Sequence, residues 1–415
     1  MAIAPSEVNS PAQYKAGERL ATRSTFPWDH VVLVSQRFTV DGSAELEKHL
    51  TSICEKVLDG IIATVGAERL ETVLLGGGYG RGEGGVLKTE SGDQPYNDLE
   101  SYISLRGPHW LNIRRYGGAL DLLAERLSPL AKVEVEFKLL PLEKLERSPI
   151  SMFYYDLVVG HRCLWREKTL SSECDHHRAA EQMPLAEAIR LLMNRCSGLL
   201  FAREKLERVP FMSDDADFVY RNIAKAQLAF GDVLLTEQGQ YHWSCRERMD
   251  RLNVLDTDFP EMPQVRRKYR EAVEFKLHPF RTSASREALQ KDYEEVSTLA
   301  LHLWLWLESR RLDHPFASIQ EYALSPTDKC PETKRWRNLL INFRTFGPEK
   351  LFSRHLMRYP RGQVLEALSL LLWSRDALGN GDLRILRRLQ GLLSTKATSS
   401  QGLLSAYRGL WAQFN

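Results

Sequence analysis

Two pairs of acidic residues, each spaced by a single residue, could do chemistry in this chain. Asp98 and Glu100 lie within Tyr96-Asn97-Asp98-Leu99-Glu100-Ser101-Tyr102-Ile103, and Glu134 and Glu136 within Val133-Glu134-Val135-Glu136-Phe137-Lys138. Polar and apolar residues alternate with period two in both segments, so each pair shares one face of an expected strand while Val133, Val135 and Phe137 turn toward a core. Carboxylates placed this way can hold two divalent ions about 3.5–4 Å apart, the arrangement that neutralises charge in phosphoryl transfer. Upstream runs Gly76-Gly77-Gly78-Tyr79-Gly80-Arg81-Gly82-Glu83-Gly84-Gly85. Without side chains in the way, backbone amides of such a loop can approach phosphate oxygens.

In this order the three parts resemble the signature of the nucleotidyltransferase superfamily of DNA polymerase beta, particularly its aminoglycoside and minimal nucleotidyltransferases. That signature runs from a glycine loop to an Asp-x-Asp/Glu pair with apolar flanks, then to a later strand bearing a third carboxylate. Leu75 to Glu83 matches the first part, with Gly77-Gly78 standing where the family has Gly-Ser; Asn97-Asp98-Leu99-Glu100 matches the second and Val133 to Phe137 the third. The resemblance implies that Asp98 and Glu100 ligate Mg2+, or Mn2+. It also implies that Glu134 or Glu136 completes the site, as a third ligand or as the base that activates the acceptor hydroxyl.

Gly77, Gly78, Tyr79 and Gly80 would then surround the triphosphate, with ATP as the first candidate nucleotide. Arg81, Lys138 and Lys225 are the expected cationic partners of the phosphates, whose charge must be met by fixed cations. The implied activity moves a nucleoside monophosphate from a nucleoside triphosphate to an acceptor, small or macromolecular. Two alternatives stay open. One is a nucleotide-binding regulatory protein that keeps the fold without turnover, which the missing loop serine permits. The other is an RNA-directed transferase, for which Arg266-Arg267-Lys268-Tyr269-Arg270 would meet the nucleic-acid backbone. Gly80, Gly82 and Gly85 also satisfy GxGxxG, but a dinucleotide-binding turn needs a helix directly after it, and Lys88 to Pro95 contains Gly92, Asp93 and Pro95 with no apolar stripe.

The elements that must position these residues are readable from periodicity. Asp41-Gly42-Ser43 precedes apolar residues at Leu46, Leu50, Ile53, Val57 and Ile61, the spacing of a capped helix. A strand is expected over 71–75, a second over 96–105, a helix over 111–127 ending at Ser128-Pro129, and a third strand over 132–139. Beyond Pro149 helical spacing dominates, over 185–206, 215–235, 265–277, 286–307 and 363–393. The expected class is α+β, a small mixed sheet forming a nucleotidyltransferase core followed by a large α-helical domain. The expected divisions are a flexible arm over 1–29, the core over 30–165 and the helical domain over 166–415, with a possible subdivision near 255–285.

Composition narrows the class further. The chain has 415 residues, with 56 basic and 54 acidic side chains, so no global field draws it to nucleic acid and phosphate binding has to be local. The opening residues lack the succession of a secretory signal, and the apolar stretch from Leu299 to Leu307 is too short to span a bilayer, which predicts a cytoplasmic protein with no membrane partner. Six cysteines are scattered without a CxxC pair, and Cys174-Asp175-His176-His177 supplies only half of a zinc site. The aromatics of Trp304-Leu305-Trp306 and Tyr241-His242-Trp243 are expected mainly in the core, with a stacking platform as their functional alternative.

Overall fold

The computed structural model describes residues 37–166, 170, 172–347, 356–374 and 382–415. The expected N-terminal arm therefore lies outside the described residues.

Helix α1 (Ala44–Val65) begins where the Ser43 hydroxyl accepts the Leu46 amide, and Glu45 and Glu47 sit at its positive end. Its buried face carries Leu46, Leu50, Ile53, Val57 and Ile61, the spacing read in the sequence. Strand β1 (Leu70–Leu75) follows, then a single helical turn α2 (Gly77–Gly80), a hairpin of β2 (Val86–Thr89) and β3 (Gly92–Pro95), and strand β4 (Leu99–Leu105). Helix α3 (His109–Ala131) carries the chain across to β5 (Val135–Leu139), and α4 (Leu142–Arg147) and α5 (Met152–Val159) lead to β6 (Arg162–Arg166).

The main sheet has the order β5-β4-β1-β6. β1 is antiparallel to β4 and β6, whereas β4 and β5 are parallel. A parallel pair needs a long crossover, and α3 provides it, packing Tyr116, Leu120, Leu123 and Leu127 into a core shared with α1 and the sheet. That core draws on residues from Phe38 to Trp165.

The second half of the chain is helical: α6 (Leu185–Leu206), α7 (Ser213–Glu237), α8 (Cys245–Val254), α9 (Met262–Leu277), α10 (Arg286–Arg311), α11 (Ile319–Leu324), α12 (Arg335–Phe346) and α13 (Pro360–Trp373), then helices over Leu383–Leu393 and Ser400–Phe414. Their apolar faces form one cluster running from Ala188 to Phe414. Trp304 is wholly buried within it, so the first aromatic of the expected platform packs the core. The architecture is thus α+β, a small mixed sheet joined to many helices. Among the described residues no helix is long and apolar enough to cross a membrane.

Local differences from the periodicity have physical causes. Helix α3 runs through Ser128-Pro129 to Ala131, because a proline in the last turn forfeits little and the Ser128 hydroxyl bonds the Ala124 carbonyl. The polar stretch before Pro95 forms the β2–β3 hairpin, where Gly92 takes φ +109° and Lys88 pairs with Asp93 at 3.2 Å. The helical run expected over 363–393 is interrupted: α13 ends at Trp373, and Asp382 caps the next helix through the amides of Arg384 and Ile385.

Candidate functional site

Where β1 ends, the Gly76 amide donates to the Glu100 carbonyl at 2.9 Å, fastening the glycine turn to β4. Gly77 adopts φ +63°, and a Cβ there would come within 3.2 Å of Glu100 Oε2, so the carboxylate stands directly beside the turn. On the other side of β4, parallel pairing sets Glu100 opposite Glu136. Lys138 Nζ joins the two, 2.8 Å from Glu100 Oε1 and 2.8 Å from Glu136 Oε2. Burial lowers the affinity of Lys138 for its proton, but bonding to both carboxylates more than offsets this and the pKa is raised.

Asp98 immediately precedes β4. Burial, then the charges of Glu136 and Glu100, raise its pKa above the usual aspartate value, with Lys225 acting in the opposite direction. The structure therefore brings Asp98, Glu100, Glu136 and Lys138 together. Glu134 lies ahead of β5 with its side chain exposed, and its carbonyl accepts the Leu99 amide at 2.8 Å. Of the two glutamates left open by the sequence, Glu136 is the one that joins the cluster.

The glycine turn is held from within. At Gly80 a Cβ would fall 2.2 Å from the Leu75 carbonyl oxygen, so only glycine fits. Tyr79 is wholly buried; its hydroxyl accepts the Tyr96 amide at 2.8 Å and donates to the Gly85 carbonyl at 3.1 Å. The expected nucleotide contact of Tyr79 is thus limited to its backbone. A β-hairpin follows the glycines, which leaves no helix for a dinucleotide-binding turn at Gly80, Gly82 and Gly85.

Arg81 was expected to meet phosphate. Its guanidinium instead pairs with Asp156 at 2.6 Å, and Asp156 also receives the Tyr241 hydroxyl at 3.2 Å. Glu83 likewise reaches away from the turn, accepting the Ser244 hydroxyl and, at 2.9 Å, the Cys245 amide, with Lys276 Nζ 3.7 Å away. It thereby caps the first turn of α8, across from its own half of the chain.

Burial pushes the Glu83 pKa up, but Lys276 and the bonds from Ser244 and Cys245 outweigh it and hold the carboxyl at about 2. A folded-state pKa below the unfolded one contributes stability above the unfolded value and loses it as pH falls toward the folded one. Wild type is therefore expected to lose on the order of 3 kcal/mol between about pH 4.5 and pH 2 from this group alone. Urea melts against pH should show that part of the acid dependence absent from Glu83→Gln.

Between the sheet and the helices lies a cleft of about 590 Å³. Glu100, Tyr102 and Lys138 line one side, and Arg190, Arg195, Lys225, Asp232 and Arg248 belong to the helical wall. Several of these cations are already matched: Arg248 by Asp232 at 3.0 Å, and Arg190 by Glu187 at 3.6 Å. Among the described residues, Arg195 and Lys225 have neither an ion pair nor a hydrogen bond. Burial lowers the pKa of both, and for Lys225 the neighbouring Arg195 and Arg221 lower it further, with Asp98 opposing. Two positive charges on one wall of the cleft, with Asp232 acting on Arg195 and Asp98 on Lys225 but neither bonded to a carboxylate among the described residues, make a place for an anion.

Arg195, Asp156, Asp232 and Arg248 were not singled out by sequence reasoning. The usable signal was helical spacing: Lys225, Leu228, Ala229 and Asp232 fall on one face of α7, with two opposite charges among the mostly apolar residues from Ile223 to Leu235.

Other sequence candidates have structural employment. His177 Nε2 lies 2.8 Å from the Leu145 carbonyl, and His176 bonds the carbonyls of Glu173 and Ser148. In the basic run, Arg266 bonds the carbonyls of Leu252 and Leu255, Arg267 and Lys268 pair with Glu295, and Tyr269 is buried. Among the described residues, no three His, Cys, Asp or Glu side chains are gathered as a metal site. In the acidic cluster Lys138 draws Glu100 and Glu136 onto its own ammonium. No protein-family model and no curated protein matches the sequence.

Proposed function

We propose that the chain is a metal-dependent nucleotidyltransferase of the DNA polymerase beta type, with its core over about residues 30–165 and the helices closing the cleft. One observation carries this reading: Glu100, whose charge and that of Glu136 act on Asp98, pairs with Glu136 across the sheet, stands beside Gly77 and lines a cleft whose opposite wall carries Arg195 and Lys225.

The donor set suits a divalent cation. Burial and then the charges of Glu136 and Glu100 raise the pKa of Asp98, and among the described residues Lys138 is the ammonium bonded to Glu100 and Glu136. For a metal to enter, Lys138 Nζ has to leave Glu100 and Glu136, which its flexible four-carbon stem permits. Magnesium or manganese held by Asp98, Glu100 and Glu136 would supply Lewis-acid stabilisation of the developing charge.

The chain's own groups do the rest. The ammonium of Lys138 moves onto the triphosphate, Arg195 and Lys225 meet its charge from the helical wall, and the amides of Gly77 and Gly78 approach it from the turn. An acceptor hydroxyl attacks the α-phosphorus in line, the oxygen–phosphorus bond to pyrophosphate breaks, and Glu136 is the carboxylate assigned to receive the hydroxyl proton. ATP is the first nucleotide to test. The Lys138 clasp favours one alternative, a nucleotide-binding regulatory protein without turnover.

Isothermal titration with ATP, with and without magnesium, tests the proposal. Wild type should bind more tightly with the metal, and Asp98→Ala should lose about tenfold or more of that affinity, roughly 1.4 kcal/mol. Equal metal-dependent binding by the two proteins would rule out Asp98 as a metal ligand, and the proposed site with it.

A further inference from the structure

Resting on that reading, we propose that the acceptor is an anionic small molecule with a flat apolar body, seated in a groove that opens from the cleft. The groove has a volume of about 880 Å³, within the range of small-molecule sites, and shares Phe153, Glu187 and Arg190 with the cleft. A molecule lying along it can therefore present one end to the acidic cluster.

Helix α12, which forms one wall, fully buries two polar residues while only part of its apolar side, Ile341 and Phe346, packs against the core. Its buried residues are Asn338 and Asn342, whose amides bond the carbonyls of Met357, Leu356 and Arg358 at 2.7–3.1 Å. A surface helix ordinarily buries its apolar stripe. Here hydrogen bonds fix the helix, and Trp336 is left 65% exposed on the groove wall. Phe153, 41% exposed, and Tyr359 line the same space, giving faces on which a ring can stack.

Charge decides the class of ligand. Helix α12 carries Arg335, Arg337 and Arg344 and no acidic residue. Of the groove's two carboxylates, Glu187 receives the Met152 amide at 3.1 Å and pairs with Arg190, and Glu332 lies 3.8 Å from Arg311. In the cleft, Asp156 and Asp232 are bonded in the same way. Among the described residues each acidic side chain named here has an arginine within 3.8 Å, the exposed Glu332 the most loosely, whereas Lys334 and Arg337 border the groove with no ion pair. A polycationic aminosugar would meet like charge along this path, and an anion would meet opposite charge.

Fluorescence titrations of the full chain with anilinonaphthalene sulfonate, an anionic fused-ring probe, and with acriflavine, a cationic one, test the inference. The anionic probe should bind in preference. Arg337→Glu and Trp336→Ala, both at exposed positions, should each weaken it by about tenfold or more while leaving magnesium-ATP affinity unchanged. Undiminished sulfonate binding by Arg337→Glu, or acriflavine binding as tight as that of the sulfonate, overturns the proposal. Wild type that takes the probe but not magnesium-ATP sinks the transferase reading, and the acceptor role with it; the two failures are thus told apart.

Discussion

With asparagine at position 98, pyrophosphate release from ATP is expected to fall about a thousandfold or more, while the protein stays folded. Metal-assisted charge stabilisation contributes several kcal/mol, and each 1.36 kcal/mol is worth about tenfold in rate. Stability should move the other way. The folded-state pKa of Asp98 is raised by burial and by Glu136 and Glu100. Such a group favours the fold when protonated, and that contribution is lost as pH rises through the folded value, so at neutral pH the charged carboxylate opposes folding. Because Asp98 is exposed and solvent screens its charge, removing that charge should raise the melting temperature only slightly as it abolishes turnover.

The same assay separates the two candidate glutamates. Glu136→Gln should share the loss, because Glu136 faces Glu100 across the parallel pair. Glu134→Gln should remain within about twofold of wild type, as a surface substitution away from the cluster. Pyrophosphate release by Asp98→Asn at the wild-type rate would end the enzymatic reading, since the proposed scheme needs Asp98 to hold the metal together with Glu100 and Glu136.

The parts of the site that were legible in the sequence are those fixed by local repeats. Period-two alternation set Asp98 and Glu100 on one face and placed Val135 inward, and the same register put Glu136 opposite Glu100 once β4 and β5 paired in parallel. Alternation alone could not choose between Glu134 and Glu136, because both have apolar flanks; the pairing of Glu136 opposite Glu100, with Lys138 bonded to both, separates them. What stayed hidden depends on contacts between distant segments. Arg81 in the glycine run looks like a phosphate ligand until Asp156, 75 residues further on, is found against it. Glu83 looks like a loop acid until Ser244 and Cys245 are seen to need a cap. Helix α12 is not among the helices expected from periodicity, and nothing in its own sequence says that Asn338 and Asn342 turn inward while Trp336 stays exposed.

Arg248→Met is expected to have the largest effect on stability, a loss of about 3–5 kcal/mol in urea melts at neutral pH. The Arg248 guanidinium is buried, bonding Asp232 and the Tyr269 hydroxyl at 3.0 Å, the Tyr241 hydroxyl at 2.6 Å and the His242 carbonyl at 3.1 Å. Through Tyr241 it reaches Asp156, and through Asp156 it reaches Arg81 in the glycine turn. A methionine of similar length fills the space but leaves Asp232, already raised in pKa by burial, as an enclosed charge with no cation bonded to it. The loss should therefore shrink as pH falls and Asp232 takes a proton, and Asp232→Asn in the same chain should recover part of it, because two absent charges cost less than one stranded charge. Since the chain of bonds joins the glycine turn to α7, α8 and α9, magnesium-ATP affinity should fall in Arg248→Met even under conditions where it is fully folded. Unchanged affinity in the folded variant would show that the turn keeps its position without the network, and a wild-type melt would show that Asp232 finds its compensation elsewhere.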